Sequence, residues 1–242
     1  MIFEYLRNRF KPTPEAPPRF SLASGERQTG LRLEDIRNDH LVRYEYACKI
    51  VRQHLKRDSG VFGLDVFCGT GYGTHMLADA AQRPILGIDA SAEAIAVANT
   101  HYANEQTFFS AKLFPFFLPR DTFDFVVCME SLEHVAETGL FLNQIVGALK
   151  PGGILVLSTP NANIWSLERN PNPFHYRHFS RTELLEALTA HPGYQLELID
   201  WQGQDIYHFE QEVIAHPLAP EHMNLRPQAE GQILLFSFVK KT

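Results

Sequence analysis

The stretch Leu64-Asp65-Val66-Phe67-Cys68-Gly69-Thr70-Gly71-Tyr72-Gly73 decides the fold. A short apolar run, 61–67, meets three alternating glycines, and a helical stretch, 75–81, follows. Glycine permits positive φ and a close approach of backbone to ligand. The helix N-terminus presents unpaired amides at the same place. The spacing is Gly-x-Gly-x-Gly, not the Gly-x-Gly-x-x-Gly of dinucleotide folds, which disfavours an NAD-linked oxidoreductase. Asp65, four positions before the first glycine, suits a cationic amino group and not a pyrophosphate.

Downstream, a second apolar run, 84–88, ends at Asp89, where a carboxylate can accept both hydroxyls of a ribose. A helix follows over 91–102 with Ser91 as its N-cap. Further strands are expected at 107–109, 123–128, 154–158, 195–201 and 232–240, with helices over 132–149 and 180–190. Strands alternating with helices predict an α/β fold, a Rossmann-like seven-stranded mostly parallel sheet with helices on both faces. It forms one domain over 58–242, with a polar, poorly periodic loop insertion at about 203–230. Residues 1–57 form an N-terminal helical extension or cap, including a long helical pattern over 33–55. Ile2, Phe3, Leu6 and Phe10 share one helical face, and four prolines over 11–18 end that helix. The face can pack on its own domain, or lie on a membrane surface as a peripheral contact of residues 1–10.

The 242 residues carry 45% hydrophobic side chains, enough for a sizeable core and incompatible with wholesale disorder. No run of 18 apolar residues exists, so no conventional spanning helix is expected. Glu4, Arg7 and Arg9 interrupt any apolar signal core. Cys48, Cys68 and Cys128 give an odd count without metal-like spacing, and a reducing, cytoplasmic location is expected. The net charge of −6 argues against general nucleic-acid binding, although residues 1–57 sum to +5 and the remainder to −11. The oligomeric state is not encoded in any pattern read here.

Four pieces in order carry a family resemblance: the glycine stretch, Gly87-Ile88-Asp89-Ala90-Ser91, Phe123 to Glu130, and Leu149-Lys150-Pro151-Gly152-Gly153 running on to Thr159. Together they resemble a class I S-adenosylmethionine-dependent methyltransferase over about a hundred residues. The resemblance implies S-adenosylmethionine as cofactor. It implies that Asp65 and the loop of Phe67, Cys68, Gly69, Gly71 and Tyr72 hold the methionine end, that Asp89 binds the ribose, and that Ala90 and Met129 pack beside the cofactor. Many relatives carry an acidic residue after the third strand for the adenine amine. Here Ser110 to Phe116 offers no carboxylate.

Glu130, Glu133 and His134 have spacings that put them roughly on one helical face at the carboxyl end of the sheet. His175 and His178 follow the fifth strand and can fold over the same rim. Two carboxylates and one or two imidazoles can hold a divalent cation, magnesium or another. The pattern resembles ubiquinone-biosynthesis O-methyltransferases and small-RNA 2′-O-methyltransferases, which implies Glu130, Glu133, His134 and His175 as metal ligands. A metal-free reading makes His134 or His175 a general base assisted by Glu130. A bland reading leaves Glu133 and His134 on a helix surface.

Gly25-Glu26-Arg27 and His40-Leu41-Val42-Arg43-Tyr44 resemble methyltransferases that accompany polysaccharide systems. Arg43 or Tyr44 is then a candidate for the cofactor carboxylate. Phe108, Phe109, Phe114, Phe116 and Phe117 can line an apolar acceptor pocket, but such rings more often fill the space between sheet and helix. Cys68 and Cys128 read as small buried residues, since transfer from a sulfonium needs no enzyme nucleophile. The expected reaction is O-methylation of a small-molecule or glycan acceptor, a sugar hydroxyl above all. A phenolic or isoprenoid acceptor comes second, and RNA third. A non-catalytic cofactor-binding module is the alternative from another class.

Overall fold

The computed structural model describes residues 20–24, 27–55 and 62–242. The expected helix over residues 1–10, the proline segment 11–18 and the pair Gly25-Glu26 lie outside the described residues.

The glycine stretch folds as its composition dictates. Strand β1 (Gly63–Val66) is wholly buried, as a central strand must be. Helix α2 (Tyr72–Ala81) starts after Gly71, whose φ of 90° only glycine adopts without strain. Helix α1 (Asn38–His54) precedes this unit. Strand β2 (Ile85–Asp89) leads into α3 (Ala92–His101), and the Ser91 hydroxyl caps α3 by accepting from the Ala94 amide. Strands β3 (Thr107–Ala111) and β4 (Phe123–Cys128) follow, then α4 (Thr138–Ala148) and β5 (Leu149–Pro160). Helix α5 (Arg181–Thr189) opens on a capping box made by Ser180 and Glu183.

Strand β6 (Leu196–Gln204) is followed by a hairpin of β7 (Tyr207–Glu210) and β8 (Val213–Pro217), then β9 (Leu225–Pro227) and β10 (Ile233–Lys240). The main sheet runs β3-β2-β1-β4-β5-β10-β6-β9. Strands β1 to β5 are mutually parallel, and β10 is antiparallel to both β5 and β6. Phe141, Ile145 and Leu184 pack α4 and α5 on one face, while Tyr44, Ala47 and Leu77 pack α1 and α2 on the other. Gly73 is needed at that second face, because a Cβ there would stand 2.1 Å from the Tyr44 ring.

Three details differ from the sequence expectation. The sheet has eight strands and not seven, because β9 adds to the outer edge of β6 at Gln202–Gln204. Its Pro227 is tolerated there as it would not be in a central strand. The supposed loop insertion also holds the β7–β8 hairpin, whose turn residues Gln211 and Glu212 take φ of 49° and 67°. Such a turn is usually written with Asn and Gly, so Gln-Glu gave no signal. Finally, the helix expected over 132–149 is broken into a 3-10 turn at Leu132–His134 and α4. Glu130 has φ of 47°, and the Ser131 hydroxyl bonds the Met129 carbonyl at 2.8 Å, which turns the chain away from helical geometry.

Candidate active site

The strands β1, β2, β4 and β5 end on one side of the sheet, and a cavity of about 910 Å³ opens over those ends. Crevices of this kind are the usual ligand sites of open α/β sheets.

At one end the glycine loop forms a cradle. Gly69 has φ of 56°, and the space where a Cβ would stand is open. Its amide donates to Asp89 at 3.0 Å, and the Ser91 amide donates to the other carboxylate oxygen at 2.8 Å. The Arg27 guanidinium adds an ion pair at 3.4 Å. Asp89 is thus held rigidly at the cavity wall, next to Ala90. Tyr44, Phe67, Cys68, Tyr72 and Met129 also line the cavity. An open, donor-rich loop facing a fixed carboxylate fits a nucleoside that carries an amino-acid tail.

Three expected contacts fall elsewhere. Gly71 shapes the loop without lining the cavity. Asp65 is fully buried beneath it, accepting from Thr74 at 2.7 Å and from Tyr44 at 3.2 Å. Burial pushes its carboxyl up to about 7, against the pull of those two hydrogen bonds. Arg43, expected on the cofactor carboxylate, is wholly buried and does not line the cavity. It donates to Gln204 at 2.6 Å, Asp39 at 3.3 Å and Glu130 at 3.2 Å. Its two terminal amino groups are spent inside the protein, and its Nε is buried without a hydrogen-bond partner among the described residues. The Cys68 and Cys128 thiols are buried, and burial pushes both up, away from nucleophilic use.

At the other end stands an acid–imidazole cluster. Glu133, His134 and His175 place one ligand atom each within 4.8 Å of one another. Glu130 is not in this group. Its Oε2 meets Arg43, and its Oε1 is buried at the cavity wall without a hydrogen-bond partner among the described residues. The metal set implied by resemblance therefore loses one member. The common helical face for Glu130, Glu133 and His134 is also absent, because the segment is a 3-10 turn. Glu133 is buried and accepts from the Thr159 hydroxyl at 3.2 Å. Burial lifts its carboxyl to about 7.

Hydrogen bonding fixes where the ring protons sit. The His178 Nδ1 lies 2.6 Å from the Trp165 carbonyl, which can only accept, so Nδ1 carries the proton. Burial lowers the His178 pKa and keeps the ring neutral, so its Nε2 is bare. That nitrogen lies 2.7 Å from His175 Nδ1, which must donate. The His175 ring, pushed down to about 3 by burial and by its two histidine neighbours, then has a proton-free Nε2. The His134 Nδ1 lies 3.1 Å from the Phe174 carbonyl, which can only accept, so that nitrogen carries a proton. Two imidazole rings and a carboxylate converge. The Phe174 carbonyl behind His134 and the His178 ring behind His175 orient the two imidazoles, as such partners do in metal sites. The donor set fits a divalent cation of borderline character.

Sequence reading missed His40, Asp39 and Trp165. His40 lines the cavity, bonds Tyr72 at 3.4 Å, and is pushed down to about 3 by burial. Its place at the head of the His-x-x-Arg-Tyr motif was the available signal. Asp39 is buried between Arg37 and Arg43, and Trp165 lies in a segment with no periodic pattern. Of the phenylalanines, Phe114 and Phe116 pack against Phe141, whereas Phe108 and Phe117 are exposed.

Comparison with known proteins bears on the family and the fold. Residues 64–157 match a family described as a methyltransferase domain. A probable S-adenosylmethionine-dependent methyltransferase of Mycolicibacterium smegmatis is 32% identical over 62% of this chain and 58% of its own. A ubiquinone biosynthesis O-methyltransferase of Bradyrhizobium sp. is 33% identical over 60% and 56%. The chain thus spans little more than half the length of these curated relatives. Among solved structures, an S-adenosylmethionine-dependent methyltransferase of Mesorhizobium loti covers 81% of this chain and 99% of its own with a TM-score of 0.57 at 20% identity, a likeness of fold. The [4+2]-cyclase SpnF is 28% identical with a TM-score of 0.52, over 65% of this chain and 59% of its own. S-adenosylmethionine is the cofactor that goes with this domain. No helix among the described residues is long and apolar enough to cross a membrane.

Proposed function

We propose that the protein moves a methyl group from S-adenosylmethionine to an acceptor hydroxyl, that of a sugar or glycan precursor, since residues 64–157 match a methyltransferase domain. The observation that carries the oxygen acceptor is the convergence of Glu133, His134 and His175 on one spot of the cavity wall. A hydroxyl has a high pKa and needs help to lose its proton, and this group offers that help.

S-adenosylmethionine, when bound, supplies an electrophilic methyl on a sulfonium. The chain's own tasks are placement and proton removal. Asp89 accepts the ribose hydroxyls, and the Gly69 loop leaves room for the methionine tail. Met129 and Tyr44 line the cavity beside the glycine loop. Orientation of this kind is a large part of the rate of a bimolecular displacement. Glu133, His134 and His175 would hold a divalent cation, which would lower the pKa of the acceptor hydroxyl. Without a cation, His134 with its Nε2 proton-free is the general base, because a His175 ring pushed down to about 3 holds a proton too weakly. Asp65 and Arg43 act below the surface, fixing the glycine loop and Glu130.

The second reading is a phenolic or isoprenoid acceptor, favoured by the names of the ubiquinone-type relatives. A cyclase or a non-catalytic module on the same fold is the reading from another class. Calorimetric titration with S-adenosylhomocysteine, with magnesium and again with EDTA, tests the cofactor and the cation. Binding in both, with a separate magnesium heat that Glu133→Gln abolishes, is the expected result. Binding without any S-adenosylhomocysteine production across sugar and phenol acceptors would leave the module or cyclase reading standing instead.

A further inference from the structure

Trp165 stands at the cavity with its indole nitrogen buried and without a hydrogen-bond partner among the described residues. The residue is not loose. Its amide donates to the Asn161 carbonyl at 2.7 Å, and its own carbonyl accepts from His178 at 2.6 Å. Its ring meets His178 and Tyr207 edge to face, at 5.6 and 5.5 Å. A buried polar group left alone costs about 1–3 kcal/mol and is rare in folded proteins. An indole N–H can only donate. Whatever completes it must present an acceptor, and a hydroxyl or carbonyl oxygen is the one a methyl acceptor carries.

The surroundings limit what carries that oxygen. The segment holding Trp165 and the β7–β8 hairpin both lie outside residues 64–157, the part shared with the domain family. Tyr207 and Ile206 bring the hairpin's side of the wall to the same cavity. The His178–His175 chain ties Trp165 to the acid–imidazole cluster through bonds of 2.6 and 2.7 Å. The arginines that line the cavity each stand against a carboxylate: Arg27 on Asp89 at 3.4 Å, Arg37 on Asp39 at 3.1 Å, and Arg169 on Glu212. A phosphate or sulfate on the acceptor would therefore meet matched pairs and not an uncommitted cation.

We propose that Trp165 determines acceptor specificity, its indole N–H donating to the second oxygen of an uncharged diol whose other oxygen is methylated. The proposal rests on the methyltransferase reading and deepens it. Sugar diols and catechols share this chemistry, and the test separates them.

The chain has two tryptophans, and Trp201 stacks on Phe236 away from the cavity lining. Trp201→Phe thus leaves Trp165 as the single fluorophore. This variant, saturated with S-adenosylhomocysteine, is titrated with methyl α-D-glucopyranoside, catechol and glucose 1-phosphate. A shift of emission with the glucoside, with glucose 1-phosphate weaker, assigns a sugar diol. A shift with catechol alone assigns an aromatic diol. In calorimetry, adding Trp165→Phe keeps S-adenosylhomocysteine binding, leaves the melting temperature unchanged, and weakens the responding probe about tenfold, the worth of one hydrogen bond. Emission indifferent to all three probes, tighter binding of glucose 1-phosphate, or a large fall in melting temperature overturns the proposal. Loss of S-adenosylhomocysteine binding in the Trp201→Phe protein itself overturns the underlying methyltransferase reading, and this proposal with it.

Discussion

Replacing Arg43 by methionine tests the internal ion network most directly. The side chain is wholly buried and serves Gln204, Asp39 and Glu130 at once. Methionine fills similar volume but strands Glu130 and leaves Asp39 to Arg37 and His40. Removing one partner of a buried ion pair costs about 3–5 kcal/mol. Glu130 keeps 21% of its side chain exposed at the cavity, although its Oε1 is buried, so the lower end applies. For a chain of this size each kcal/mol moves the midpoint by about 2–4 °C, so a fall of about 6–12 °C is expected. The deficit also depends on pH. Burial already raises the Glu130 pKa, and Arg43 is the main influence pulling it back down. Without Arg43 the folded pKa rises further above the unfolded value, so ionised Glu130 becomes a growing liability as pH climbs. Thermal melts of wild type and variant at pH 5 and pH 8 check this: the gap must be wider at pH 8. Arg43→Lys should recover only part, since an ammonium cannot span three partners as a guanidinium does. A fall below about 2 °C, or a gap unchanged between the two pH values, would refute the reasoning.

Asp89→Asn should weaken S-adenosylhomocysteine binding about 10–100-fold in calorimetry, the worth of one or two charge-assisted hydrogen bonds. Gly71→Ala should lower both melting temperature and cofactor affinity, because φ is 90° and the new Cβ would lie 2.7 Å from Ala98. His178→Phe should reduce manganese affinity about tenfold or more, read by electron paramagnetic resonance, since it removes the acceptor that orients His175. His178→Asn, which can still accept, should retain more affinity than the phenylalanine variant.

The strands, the glycine loop and Asp89 were legible because their signals are local. Periodicity, a turn glycine and a strand-end carboxylate all act within a few residues. The Arg43 network was not legible, because Gln204 is 161 positions away and Glu130 is 87. No window of sequence relates them. The broken helix after β4 was hidden for a related reason. Residues 132–134 read as helical, but the Glu133 carbonyl accepts from Tyr176 and its carboxylate from Thr159, and these distant partners override local propensity. Glu133, His134 and His175 could be grouped by resemblance, but the exclusion of Glu130 required knowing what Arg43 touches.

The position of β10 has a consequence for how the protein is made. It lies between β5 and β6, pairing seven residues with one and eight with the other. A ribosome delivers β6 and the hairpin before it delivers β10. Throughout that interval β5 and β6 each show an open edge lined with apolar residues, a template for wrong partners. A nascent chain halted before Ile233 therefore has its glycine cradle and acid–imidazole residues but no keystone between the halves of its sheet. Such arrested chains should be strong clients of chaperones, and release of the stretch from Ile233 to Lys240 from the exit tunnel should be the moment at which they become resistant to protease.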